Sequence, residues 1–107
     1  MNNISKSDWQ LFNKLLPEWQ ERYVNRLNQE YKKILDSDDS PSNKFWKLEK
    51  RIKADRKSPG VIVEVSKRSM FQTLLQLISE KVITDEDLNG FSEELRDGID
   101  DVVKRFG

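Results

Sequence analysis

Basic side chains cluster around a single tryptophan between residues 44 and 57, where the chain is best suited to bind a charged partner. This stretch holds seven Lys or Arg residues against two acidic ones. A helix turns by about 100° per residue, so one strip of its surface would carry Trp46, Lys50, Lys53 and Lys57. Ammonium groups neutralise phosphates and release counterions, and an indole ring can stack on a base or anchor a protein contact.

These residue types lead to two hypotheses about function. The first is a non-enzymatic helical module that binds another protein, or a second copy of itself, by electrostatic steering with Trp46 as an aromatic anchor. The second is a nucleic-acid-binding protein of weak sequence specificity that lays the helix over residues 44–57 along the phosphates. The simplest alternative is a solvated face whose lysine stems cover apolar surface. The candidate binding residues are Trp46, Lys47, Lys50, Lys53, Lys57, Lys67 and Arg68.

Acidic side chains dominate the last part of the chain and suggest a complementary surface. Residues 84–107 have a net charge of −5, whereas residues 40–83 have +6 and residues 1–39 have −1. In a helix, these carboxylates would lie opposite an apolar stripe. They are Glu86, Glu93, Glu94, Asp97, Asp100 and Asp101. Because both charged faces point away from their own apolar stripes, we expect them to meet between molecules rather than within one.

Residues 85–90 match the first half of a calcium-binding loop, with oxygen ligands at alternate positions and Gly90 at the sharp turn. The twelfth position of such a loop should supply a bidentate glutamate, but here it is Arg96. Leu88 and Phe91 also fit the apolar stripe of a helix better than an ion loop. We therefore predict no metal site and no cofactor.

Histidine and cysteine are both missing from the 107 residues. Disulfides, thiolate nucleophiles and cysteine-bound metals are therefore excluded, and the usual general base near neutral pH is missing. Carboxylates are plentiful, but no pair is marked by an apolar pocket that would separate two pKa values. We therefore predict no catalytic residues and a protein that is not an enzyme.

Hydrophobic spacing predicts an all-α fold, a small helical bundle of about five helices in one domain over residues 1–107. Residues 7–10 form the pattern of a capping box that opens a first short helix. Pro17 fits the first turn of a second helix, which would run to about Leu35. The core of this part of the bundle would include Trp19 and Tyr23.

Ser40 and Pro41 suit the start of a third helix, because serine caps a helix and proline fits its first turn. The apolar stripe of this helix is narrow and consists of Phe45, Leu48 and Ile52. Residues 58–60 place proline and then glycine at the centre of a type II turn, which would end the helix near residue 56.

Residues 61–65 are rich in valine and isoleucine and favour a strand. No second convincing strand could pair with them, so we expect one short extended segment near Val61 and Val65 that leads into a fourth helix. Thr84 and three following acids favour the start of a last helix, with Gly90 and Ser92 as positions where it would break.

The first residues lack the apolar segment of a signal peptide. No apolar run approaches the roughly 20 residues that a membrane-spanning helix needs. We therefore expect a cytoplasmic protein without membrane contact.

Overall fold

Four α-helices and one 3₁₀ turn make up the computed structural model, which describes residues 4–106. The helices are α1 (Lys6–Leu35), α2 (Pro41–Asp55), α3 (Met70–Ser79) and α4 (Glu93–Phe106), and the 3₁₀ turn is Asp85–Leu88. No β-strand occurs in residues 4–106. The all-α prediction is therefore confirmed, with four α-helices instead of about five.

Helix α1 is continuous through Pro17, so the prediction of two separate helices was wrong. The exposed proline cannot donate a hydrogen bond to the Asn13 carbonyl, and an interior proline costs about 3 kcal/mol. Phe12 and Trp19, on either side of Pro17, are both buried in one core. Their burial contributes roughly 3–6 kcal/mol, which offsets the cost of the proline.

The N-terminal cap of α1 is Ser5 and not Ser7. The Ser5 hydroxyl oxygen accepts a hydrogen bond from the backbone N–H of Asp8 over 3.1 Å. The cap of α2 is Ser40, as predicted, and its hydroxyl accepts from the backbone N–H of Asn43. Both contacts satisfy backbone donors that a helix start leaves without a partner.

The core lies between the first half of α1, helix α3, and the segment that runs from residue 82 into α4. Its buried apolar residues are Phe12, Leu16, Trp19, Met70, Phe71, Leu74, Leu77, Val82, Ile83, Leu88, Phe91, Leu95 and Ile99. None of these residues comes from α2. The partly buried Tyr23 also packs against the core, together with Val63 and Val65 of the irregular segment 62–66.

A buried carboxylate joins the start of α1 to the start of α4. Asp8 accepts hydrogen bonds from the Ser92 backbone N–H over 2.9 Å and from the Ser92 hydroxyl over 2.6 Å. The Ser92 oxygen accepts in turn from the backbone N–H of Leu95. Residues 89–92 separate the 3₁₀ turn from α4, so the break expected at Gly90 and Ser92 is present.

The turn after α2 is anchored on the middle of α1. Residues 58–60 are buried, and the Gln20 side-chain amide donates a hydrogen bond to the Pro59 carbonyl over 2.9 Å. Gly60 has no positive φ, so the predicted type II turn was wrong. Glycine is needed here for close approach, because a Cβ at Gly60 would lie 2.5 Å from Tyr23 Cδ2 and 2.8 Å from Val82 Cγ2.

The described residues form an elongated body of 53 × 27 × 20 Å. Helix α2 packs beside the second half of α1, where Glu30 and Tyr31 contact it, and lies outside the core. This α1–α2 hairpin gives the molecule its length. Among residues 4–106, none of the helices combines the length and the apolar character that a membrane span requires.

The substitution Gly60→Ala should lower the free energy of unfolding by about 1–3 kcal/mol, because the new methyl group overlaps a packed aromatic ring. Chemical denaturation followed by circular dichroism measures this loss. The control is Gly90→Ala, whose Cβ would lie 3.1 Å from Leu11 Cδ2, the end of a flexible side chain. It should cost less, and equal losses would contradict the close packing of Gly60 on Tyr23.

Candidate interaction surface

Helix α2 presents aromatic surface to solvent. None of its residues is buried, and Phe45 and Trp46 are 61% and 62% exposed. The two rings meet edge to face with their centroids 4.9 Å apart. Of the predicted apolar stripe, Phe45 and Ile52 are therefore exposed, and only Leu48 is half-buried.

The side of α2 that meets α1 is mostly polar. Leu48, Arg51 and Asp55 are half-buried along it. The Arg51 guanidinium donates hydrogen bonds to Glu30 of α1 and, over 3.0 Å, to Asp55 of its own helix. The Tyr31 hydroxyl of α1 donates to the same Asp55 carboxylate over 2.6 Å. This polar network contributes to the orientation of α2 on α1.

The contacts of this network shift the pKa values of Tyr31 and Glu30. Burial raises the pKa of Tyr31, and the hydrogen bond to Asp55 raises it further, to about 12. The hydrogen bond from Arg51 lowers the pKa of Glu30 below its usual value. Tyr31 is therefore neutral, and Glu30 ionised, throughout the physiological range of pH.

The apolar strip of α2, which we define as Phe45, Leu48 and Ile52, lies beside this network and opens to solvent. Charged side chains border it and line the same shallow depression on the α2 surface. These charged neighbours are Glu49, Lys53 and Arg56. The arrangement resembles the contact side of an amphipathic helix that lacks its partner.

The basic strip of α2, which we define as Trp46, Lys50 and Lys53 of the helix together with Lys57 of the turn that follows it, is exposed along its whole length. Lys50, Lys53 and Lys57 form no ion pair within residues 4–106. Four of the seven residues singled out from the sequence thus share one accessible surface. The apolar strip adjoins it, so that α2 offers apolar and cationic groups side by side.

The other three candidate residues stand apart from this strip. Lys47 pairs with Asp39 in the loop before α2, and its hydrogen bond, with that of Asn43, lowers the pKa of Asp39 to about 2. Lys67 and Arg68 are exposed in a separate turn that precedes α3. The structure therefore does not join all seven residues into one patch.

A second open feature lies at the opposite end of α1. A groove of about 510 Å³ runs between α4, the start of α1 and the start of α3, and we call it the α4 groove. Its apolar lining includes Ile4, Phe71, Leu95 and Val102, and its charged lining includes Glu94, Asp101 and Arg105. Gly98 also lines the groove and adds no side chain. Sequence reasoning found the acidic face of α4 but missed the groove, because its walls come from three separate segments.

The acidic segment 85–90 is linked to α1 by an ion pair. Arg22 of α1 donates two hydrogen bonds to the Asp87 carboxylate, over 2.9 and 3.0 Å. Burial alone would raise the pKa of Asp87, but the bonds from Arg22 and Thr84 lower it below its usual value. Within residues 4–106, no group of three or more acidic side chains is placed to hold a metal ion.

Raising the pH should loosen the α1–α2 hairpin. The unfolded chain loses the Tyr31 proton near its ordinary pKa of about 10. The folded chain keeps it until about 12. The stabilisation is complete below pH 10 and is lost as the pH rises toward 12, because the unfolded state then binds fewer protons.

Phenolate absorbance measures this titration in a Tyr23→Phe background, which leaves Tyr31 as the one tyrosine of the chain. We expect a midpoint near 12. The conservative variant Asp55→Asn should lower the midpoint, since it removes the charge that faces the phenol. A midpoint near 10 in both proteins would contradict the docking of α2 on Tyr31.

Comparison of the chain with protein-family models, with curated proteins and with solved structures finds no match.

Proposed function

We propose that the protein is a non-enzymatic interaction module that binds another protein, or a second copy of itself, through the open sides of α2. The observation that carries this proposal is the exposure of two adjoining aromatic rings, Phe45 and Trp46, on a helix without any buried residue. Exposed aromatic patches bordered by polar groups are typical of protein-binding sites.

The two aromatic rings leave a large apolar area in contact with water, and a partner that covers this area would gain binding free energy. An aromatic side chain buries about 150–250 Å² when it is fully enclosed. Enclosing the exposed three-fifths of Trp46 in a partner would contribute roughly 2–4 kcal/mol at about 25 cal/mol per Å². Phe45 would add a similar amount, so the pair would form the energetic centre of the interface.

The lysines of the basic strip also favour α2 as the binding surface. Lys50, Lys53 and Lys57 of the basic strip would draw an acidic partner toward α2 and orient it before contact. Their free cationic groups would affect the association rate and its salt dependence more than the final affinity.

A nucleic-acid partner is the second candidate, because Trp46 stands among lysines that have no ion-pair partner within residues 4–106. Stacking on the indole and phosphate neutralisation would hold a single strand without reading its sequence. The zero net charge of the chain favours a protein partner, since nucleic-acid-binding domains are usually basic.

Photo-crosslinking in the native host tests the proposal. A benzophenone amino acid replaces Phe45, and the same amino acid at exposed Gln10 of α1 serves as the position control. We expect a discrete protein adduct at residue 45 that is missing at residue 10. The captured protein is then purified, and its affinity for this chain is measured by titration.

The double variant Lys50→Glu and Lys53→Glu should weaken that purified complex by about tenfold or more through charge repulsion. Its free energy of unfolding should stay within about 0.5 kcal/mol of the parent, because both lysines are exposed. Equal adducts at residues 45 and 10 would contradict the proposal. Salt-sensitive binding of labelled oligonucleotides that the double variant abolishes would favour the nucleic-acid candidate instead.

A further inference from the structure

We infer that two copies of this chain associate by docking the apolar strip of α2 from one copy into the α4 groove of the other. The inference rests on the proposed function in that it uses the same open side of α2, and it names the occupant as a second copy. The fold leaves two surfaces open, the apolar strip of α2 and the α4 groove, and their charges are complementary.

The residues that line the two surfaces follow the same spacing along their helices. Four positions that line the open depression of α2 are Glu49, Ile52 and Lys53 of the helix and Arg56, which caps its C-terminal end. Four α4 positions that line the groove are Gly98, Asp101, Val102 and Arg105. Both sets advance along their helix in steps of three, one and three residues. Two helices laid antiparallel would therefore keep the positions in step, because each residue rises by about 1.5 Å in both.

The antiparallel register pairs opposite charges. Glu49 stands opposite Arg105, and Lys53 stands opposite Asp101. Both pairs are four residues apart on their helices, roughly 6 Å. A parallel arrangement of the same positions would instead set Arg56 against Arg105 and the apolar Ile52 against Asp101. Like charges placed together cost free energy, so the charge order selects the antiparallel direction.

The same antiparallel register also places apolar residues of α2 opposite apolar residues of α4. Ile52 stands opposite Val102, which lines the groove, and Leu48 stands opposite Phe106, which is 78% exposed. Arg56 falls opposite Gly98, and its long side chain can extend along α4 toward Glu94, which also lines the groove. From Leu48 to Lys53, the open side of α2 thus meets apolar or oppositely charged groups on α4, whereas Phe45 falls beyond Phe106, where α4 ends.

The charged groups of both surfaces are unengaged within one molecule. The groups concerned are Glu49, Lys53, Arg56, Glu94, Asp101 and Arg105, and none of them forms an ion pair within residues 4–106. The two surfaces also lie at different ends of α1. Asp8 lines the groove, and α2 contacts Glu30, which lies roughly 33 Å further along the helix. The contact can therefore form only between copies.

A contact between two different surfaces determines the kinds of assembly that can form. Reciprocal docking, with α2 of each copy in the groove of the other, closes into a two-fold dimer. Docking in one direction only continues into a chain of copies. Both assemblies use the same Lys53–Asp101 pair, so both respond to the same substitutions.

Sedimentation equilibrium of the full chain tests the docking. We expect reversible self-association at 0.1 M salt that weakens at 1 M, where the Debye length falls from about 10 Å to about 3 Å. Lys53→Asp and Asp101→Lys should each raise the dissociation constant by about tenfold or more. The combined variant, which restores opposite charges with their order exchanged, should return to within about threefold of the parent.

The matched control is Lys14→Asp, a charge reversal at an exposed α1 position outside both surfaces. It should leave the dissociation constant unchanged. A chain that stays monomeric up to about 1 mM at 0.1 M salt would overturn the docking. The docking would also be overturned if Asp101→Lys left the dissociation constant unchanged, or if the combined variant did not restore it.

Failure of the docking and failure of the proposed function are distinguishable. Asp101 lies outside α2, so Asp101→Lys leaves intact the surface on which a different protein partner would bind. A monomeric chain that still forms a specific adduct at residue 45 would overturn the docking and support the proposed function. A chain that neither associates nor forms that adduct would overturn both.

Discussion

Burial of the apolar side of α1 on both sides of Pro17 is the interaction on which the rest of the structure depends. Phe12 and Trp19 occupy one core, and the helix stays continuous between them although proline interrupts its hydrogen bonding. The favourable burial exceeds the cost of the proline, so α1 extends beyond the core as a rigid support. If α1 ended at Pro17, its second half would not carry α2 away from the bundle.

The position of α2 outside the core explains its open surface. An amphipathic helix in a bundle normally buries its apolar stripe. Here Arg51 and Asp55 of α2 form hydrogen bonds with Glu30 and Tyr31 of α1. With α2 held in this orientation, Phe45 and Ile52 of its apolar strip are exposed to solvent. Exposed ion pairs are worth little individually, so the hairpin is held less firmly than the core. The open side of α2 is therefore the surface that we propose for partner binding.

Charge is separated along the chain although the total is zero. The basic side chains gather around α2 and the acidic ones around α4. Some of these side chains form ion pairs within the molecule, as Asp87 does with Arg22 and Lys47 with Asp39. Those that remain form two complementary surfaces at opposite ends of α1. We propose that this layout allows two copies to associate in a way that salt and single charge reversals would weaken.

The sequence by itself determined the helical class, the cap at Ser40, and the strip formed by Trp46 and its lysines, because caps and periodicity act over a few neighbouring residues. Only the tertiary structure decided that Pro17 lies inside a helix, that Phe45 faces solvent, and that the α4 groove exists. Each of these depends on groups distant in the chain. A stripe of three apolar residues predicts an amphipathic helix, but the packing partner decides which side of that helix is buried.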